Sequence, residues 1–196
     1  VFQLDGDAFD HYNISISDLS IINGSTYNEP GGGIYAYGIN LLLENLIITD
    51  NHAPNFYSDG AVAVNYSDII IRHCLIYNND NAGDEWTERG GVSIVFGHGQ
   101  IENSTIVGNE AINIWIDYGA VLNVVNSIIE INDLNDPSQS VFGPNNSKEL
   151  NMAYTNIVSQ PMTAVTEFDE ALFSYGETNF YEGVTYHPVE FTEDYH

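Results

Sequence analysis

Apolar residues in this chain alternate with polar ones or run in fours and fives rich in Ile and Val, and the pattern returns at a nearly fixed distance. Six segments superpose: 18–24 (DLSIING), 45–51 (NLIITDN), 73–79 (HCLIYNN), 103–109 (NSTIVGN), 126–132 (NSIIEIN) and 154–160 (YTNIVSQ). Their starts lie 27, 28, 30, 23 and 28 residues apart. The fourth position is always isoleucine, and the seventh is Gly24, Asn51, Asn79, Asn109, Asn132 and Gln160. Residues two apart on a strand share a face, so the second and fourth positions, such as Leu46 and Ile48, point into one core. A repeat of this length predicts a solenoid, one supersecondary unit per repeat.

Two more strands fit into each repeat. One set lies just before the motif, at 14–16, 41–43, 69–71, 100–101 and 121–125; the other lies earlier, at 34–37, 61–64, 92–95 and 112–116. Glycines open three of the latter, at 31–33, 60 and 90–91, where a tight corner calls for backbone freedom. Helical spacing is absent, and no stretch between strands suits a crossover helix. The prediction is an all-β, right-handed parallel β-helix of about six coils with three short strands each. The isoleucines would stack at about 4.8 Å per coil, and the handedness follows the crossover preference of parallel strands. Residues 1–160 are assigned to the coils and 161–196 to an irregular C-terminal segment or cap of the same domain.

The Ile-x-x-Asn signature at 48–51, 76–79, 106–109 and 129–132, with Gly-Gly-Gly-Ile at 31–34, resembles the repeats of bacterial surface and secreted β-helix proteins. The nearest resemblance is to the polymorphic outer-membrane protein type and the choice-of-anchor type, over roughly residues 1–160. It implies a fold more than an activity, because the matching residues occupy core and corner positions. Such families include adhesins, surface-layer components and polysaccharide-degrading enzymes.

Charge narrows the partners. Asp and Glu number 28 against three cations, Arg72, Arg89 and Lys148, for a net charge of -25. Phosphate recognition needs clustered cations, so nucleic acids and anionic membranes are excluded. A polyuronate lyase, acting on a polyanion, is disfavoured for the same reason. No apolar run reaches the 18 or so residues of a membrane span. The single cysteine, Cys74, forms no internal disulfide and falls in the inward second column, as a buried inert thiol. Both ends read as cut through a repeat, which leaves room for a longer protein or for end-to-end or side-by-side self-association.

Candidate chemistry lies in the insertions, since loops on a rigid scaffold are where function usually sits. Residues 78–85 (NNDNAGDE) partly follow a calcium loop but lack its ligand at Ala82 and its bidentate Glu at Arg89. Calcium accepts irregular oxygen cages, which makes Asp80, Asp84 and Glu85 the candidate metal ligands. Asp5, Asp7 and Asp10 form a similar group, and the histidines show no zinc spacing. Trp86, Tyr57 and Phe56 occupy insertions of adjacent repeats and are the candidate ligand-binding residues, able to stack on sugar rings. Trp115 and Tyr118 fall on or beside a strand and are read as structural. A glycoside hydrolase needs two carboxylates about 5 to 9.5 Å apart, a condition so many acids meet by chance. The reading is therefore a non-catalytic extracellular or cell-surface module, a structural or adhesive stalk or assembly component with a glycan or surface protein as partner. The competing readings are a carbohydrate-active enzyme and a calcium-dependent glycan-binding module.

Overall fold

The computed structural model describes residues 1–6, 12–26, 30–53, 60–81, 89–110, 112–131, 149–153 and 155–159. The first coil holds β1 (Phe2–Asp5), β2 (Tyr12–Ser17) and β3 (Ser20–Ile22); the second holds β4 (Ile34–Tyr37), β5 (Ile39–Glu44) and β6 (Ile47–Thr49). The third is β7 (Val62–Asn65), β8 (Asp68–Arg72) and β9 (Leu75–Tyr77), and the fourth β10 (Val92–Val95), β11 (His98–Glu102) and β12 (Thr105–Val107). The fifth is β13 (Ile114–Asp117), β14 (Val121–Val125) and β15 (Ile128–Ile131), and the sixth contributes β16 (Glu149–Ala153) and β17 (Asn156–Ser159). Every third strand pairs in parallel, giving sheets ordered β1-β4-β7-β10-β13, β16-β14-β11-β8-β5-β2 and β17-β15-β12-β9-β6-β3. The parallel solenoid predicted from the repeat is the observed fold. Its coil count differs from six coils of three strands: among the described residues five coils are complete and the sixth supplies two strands. Residues 161–196 lie outside the described residues.

The register is in step from coil to coil, so equivalent residues stack. In the third sheet Ile21, Ile48, Ile76, Ile106 and Ile129 form one buried column. The second sheet contributes Ile16, Leu43, Ile71, Ile101, Val124 and Met152, and the first Ile34, Val62, Val92 and Ile114. Gly99 breaks a second-sheet column, and the Ile94 and Leu122 side chains lean into the space its missing Cβ leaves. The second motif position is inward at Leu46, Cys74, Ser104 and Ser127. Leu19 departs from the expectation: it is 38% exposed, because its coil is the outermost of the third sheet.

Of the glycines singled out at corners, Gly31 takes a left-handed φ of 81° as expected, while most corners use another device. Three columns of left-handed residues turn the chain: Asp18, Asn45, His73, Asn103 and Asn126; Asn23, Asp50, Asn78 and Gly108; and Gly38, Tyr66, Phe96 and Tyr118. Asn and Asp tolerate this conformation, whereas bulky residues are strained there by about 1–3 kcal/mol each. Gly60 has no positive φ, and what it provides is room. A Cβ there would lie 2.5 Å from the Asp80 carbonyl oxygen and 2.8 Å from that of Gly90.

Beside the apolar columns runs a polar one. Asn51, Asn79 and Asn109 at the seventh position are buried, one residue past the corner. Asn79 Nδ2 donates to the Ile48 and Tyr77 carbonyls, both at 3.0 Å, and to Asn109 Oδ1 at 2.8 Å. Asn51 repeats this with the Ile21 and Thr49 carbonyls and Asn79 Oδ1. Asn109 donates in turn to the Ile76 carbonyl and to Asn113 Oδ1. A shorter ladder fills the second column: the Cys74 backbone N–H donates to Ser104 Oγ at 3.1 Å and that of Ser104 to Ser127 Oγ at 3.2 Å. Three of the four inward residues of this column, Cys74, Ser104 and Ser127, are therefore thiol or hydroxyl, satisfied rung by rung.

Three outcomes follow from this packing. Ile76→Asp buries an unpaired carboxylate in a column with no partner and should abolish the cooperative thermal transition, whereas Ile76→Ala should cost about 2–5 kcal/mol in a urea titration. Asn79→Ala strands two or three buried polar groups worth about 1–3 kcal/mol each, so it should destabilise far more than Asn45→Ala at an exposed corner. Burial pushes the Cys74 thiol up from its ordinary value. The folded state holds that proton more tightly, so this contribution to stability is full below the ordinary thiol range near about 8.5 and is lost as pH rises through the folded value. Cys74→Ser keeps a donor to the same carbonyls and should flatten the alkaline fall in urea midpoint relative to wild type.

Candidate functional site

Strand alternation puts the residues on either side of each buried asparagine outside. The position before it carries Asp50, Asn78 and Gly108; the position after it carries His52, Asp80 and Glu110. These two outward columns, with Asn79 and Asn109 between them and Glu130 on the next coil, line an open groove of 680 Å³. Ladder bridges join Ser25 to His52 and His52 to Asp80. The Glu110 N–H donates to the Asn79 carbonyl at 2.8 Å, which ties the fourth coil to the same wall.

Four carboxylates face one imidazole here. Asp50 accepts from Asn78 Nδ2, and the Asp80 carboxylate is paired with His52 Nδ1. Glu130 is only 5% exposed and accepts the Gly108 backbone N–H. A Cβ at position 108 would meet nothing within 4 Å, so what the glycine supplies is its left-handed φ of 61°. The surface can orient hydroxyl groups, attract a cation and, given suitable spacing, move a proton between carboxylates and the imidazole. Among the described residues no group of three or more His, Cys, Asp or Glu side chains converges to hold a metal ion.

Of the residues singled out as metal ligands, Asp80 lies in the groove, engaged with His52, while Asp84 and Glu85 lie outside the described residues. Trp86, Tyr57 and Phe56 also lie outside them. Asp5 accepts from Gln3 Nε2 at 3.0 Å, and its companions Asp7 and Asp10 are outside the described set. Asp50, His52, Glu110 and Glu130 went unrecognised in sequence. The signal for His52 and Glu110 was available, since extending the repeat alignment one place beyond the motif stacks them with Asp80, and Asp50 is the motif's own sixth position. Glu130 had no such signal, because it occupies the fifth position, where other coils have Ile22, Thr49, Tyr77 and Val107.

Other outward columns are also self-paired. Asn45 Nδ2 donates to Asp18 at 3.0 Å, Asn40 to Asn13 at 2.9 Å, and His98 Nδ1 lies 3.0 Å from Asp68. Arg72 Nε sits 2.7 Å from Glu44, whose carboxylate raises the guanidinium pKa further above its ordinary value. Arg89 lies over the Trp115 ring, 4.3 Å from its centroid. Trp115, 4% exposed, is thus structural, as its place on a strand suggested. An aromatic column that sequence reasoning missed runs Tyr37, Tyr66, Phe96 and Tyr118, with centroids 5.7, 4.5 and 4.7 Å apart. Each stacked pair contributes about 0.5–1.5 kcal/mol beyond area burial, of the order needed to hold bulky residues in left-handed corners. Tyr66, Phe96 and Tyr118 nonetheless stay exposed at the surface.

No curated protein and no solved structure matches the chain significantly. Residues 7–159 match the family described as Right handed beta helix region, over most of the coils whose ladders are set out above. With its in-register parallel sheets, its stacked isoleucines and this match, the chain belongs to the right-handed beta helix family.

Proposed function

We propose that this chain is a non-catalytic extracellular or cell-surface module, a stalk or assembly component that presents a groove and side insertions on a rigid rod. The supporting observation is where its carboxylates go. Asp18, Glu44, Asp50, Asp68 and Asp80 each take a partner from a neighbouring coil, so much of the outward acidity serves the rod's own ladders. The net charge of -25 keeps such a rod soluble and separate from its copies. Partners in this reading are a neutral glycan or a surface protein.

The groove favours a second reading, a calcium-dependent glycan-binding module. Asp50, Asp80, Glu110 and Glu130 line it; they do not converge on one point, so in this reading their side chains would draw together around a hard cation that takes six to eight oxygen ligands.

Both readings predict no release of reducing sugar from neutral polysaccharides and no unsaturated product from polyuronates. Turnover that disappears in Glu130→Gln or Asp80→Asn would overturn them in favour of a carbohydrate-active enzyme. They part on calcium. If the groove holds it, calcium at 100 times its dissociation constant adds about 2.7 kcal/mol, chelator lowers the melting temperature, and Asp80→Asn removes the difference. A melt unchanged between chelator and millimolar calcium leaves the stalk reading. Replacing residues 82–88 with a Gly/Ser turn should preserve the melt and weaken attachment to a glycan array or host surface; retained attachment would move the contact to the groove.

A further inference from the structure

The chain contains one Asn-Gly dipeptide, Asn23–Gly24, at the point where the buried asparagine ladder ends. We propose that this bond is a site of spontaneous modification, deamidation through a cyclic imide, and that the first rung of the ladder holds it in check. Glycine leaves its own nitrogen unshielded and its backbone free to turn. Once that nitrogen gives its proton to a solvent base, it can attack Cγ of the preceding asparagine. The Gly24 N to Asn23 Cγ bond forms, the Cγ–Nδ2 bond breaks, and Nδ2 leaves as ammonia with a proton from water. Water then opens the five-membered imide at either carbonyl, yielding an ordinary aspartyl residue in place of Asn23 or an isoaspartyl link that routes the main chain through the side-chain carbon.

Two observations expose the site and one guards it. Asn23 is solvent-exposed in a left-handed corner, φ 56°, and among the described residues its amide makes no hydrogen bond. Nothing therefore fixes Cγ away from the nitrogen. The Gly24 N–H, by contrast, donates to Asn51 Oδ1 at 2.9 Å, and Asn51 is fully buried. Attack requires that N–H to leave its acceptor and turn toward Cγ. A Cβ at Gly24 would fall 2.3 Å from the Gly32 carbonyl oxygen, so the backbone there lies close against the next coil.

The products would not be neutral for the fold. Ile22 pairs with Thr49, which puts Asn23 in the corner column of Asp50 and Asn78, so the aspartyl product would set a second carboxylate beside Asp50. An isoaspartyl link adds a methylene between β3 and the ladder and pulls Gly24 off Asn51. The modification is thus a one-way loosening of the outermost described coil.

The test is peptide mapping of protein held in mildly alkaline buffer, scoring the mass gain and isoaspartate at Asn23. Wild type in urea should modify at least about tenfold faster than folded wild type, the factor a guarding hydrogen bond of ordinary strength supplies. Among folded variants, Asn51→Ala should raise the rate about fivefold or more, whereas Asn109→Ala, which removes a rung remote from Gly24, should leave it within about twofold. Equal rates for wild type folded and in urea would overturn the guard, as would equal acceleration by the two variants. Absence of modification in urea would overturn the site itself. The urea comparison uses wild type alone, so it stands even if a ladder variant fails to fold.

Discussion

Every rung of this rod sits on an equivalent rung, and the constraint that makes this workable is the satisfaction of polar groups inside a narrow core. Parallel coils bring like over like. For isoleucine this is free, because identical branched side chains interdigitate well on a pleated surface. For a corner it is harder, since a turning chain frees carbonyls that no strand partner can take. The buried asparagines answer that need. In the second, third and fourth coils one amide takes the carbonyl two residues before it and that of the preceding coil's core isoleucine, and each is linked to the asparagine that follows it in the column. An unpaired buried amide costs more than a paired one contributes. The ladder therefore fixes register: a slipped coil would strand its amide.

The same logic governs the surface. Corner residues repeat in left-handed conformation, and where they are short and polar they bond their neighbours along the rod, as Asn45 does with Asp18. Where they are aromatic they stack, as Tyr66, Phe96 and Tyr118 do. Like charges would be the failure of such a scheme, since a column of aspartates repels itself. Interleaving limits this, with Asp50 beside Asn78, His52 beside Asp80, Asp68 beside His98 and Glu44 beside Arg72, and Asp80 and Glu110 are the exception in the groove.

The groove inherits its character from that arrangement. Its walls are simply the positions flanking the buried asparagine, so its polarity follows from the ladder beneath it. What departs from the repeat is local: Gly108 replaces a corner side chain and Glu130 reaches back to its N–H. A regular solenoid acquires a site where its repeat is broken, because only there does a side chain escape a partner of its own kind. This is the physical basis for reading the rod as a scaffold whose irregular places are where a site can form.

The periodic spacing of Ile21, Ile48, Ile76, Ile106 and Ile129 was enough to establish the parallel solenoid, because strand alternation and a constant repeat leave one way to bury those residues. Placing Trp115 as structural needed no more than its position on a strand. Local chemistry also foretold a buried, unreactive Cys74. Other features depend on neighbours a full coil away along the chain and could not be read locally. The seventh-position asparagine looked like a corner and proved to be core, since only stacking supplies the carbonyls and partner amides that make its burial tolerable. Gly60 looked like a flexible hinge, yet its role is the absence of a Cβ between two backbones. The left-handed Tyr66, Phe96 and Tyr118 run against local preference, and their tertiary stack is what offsets the strain. The groove likewise depends on register, which sets His52 against Asp80 and carries Glu130 to Gly108, distances that sequence separation does not encode.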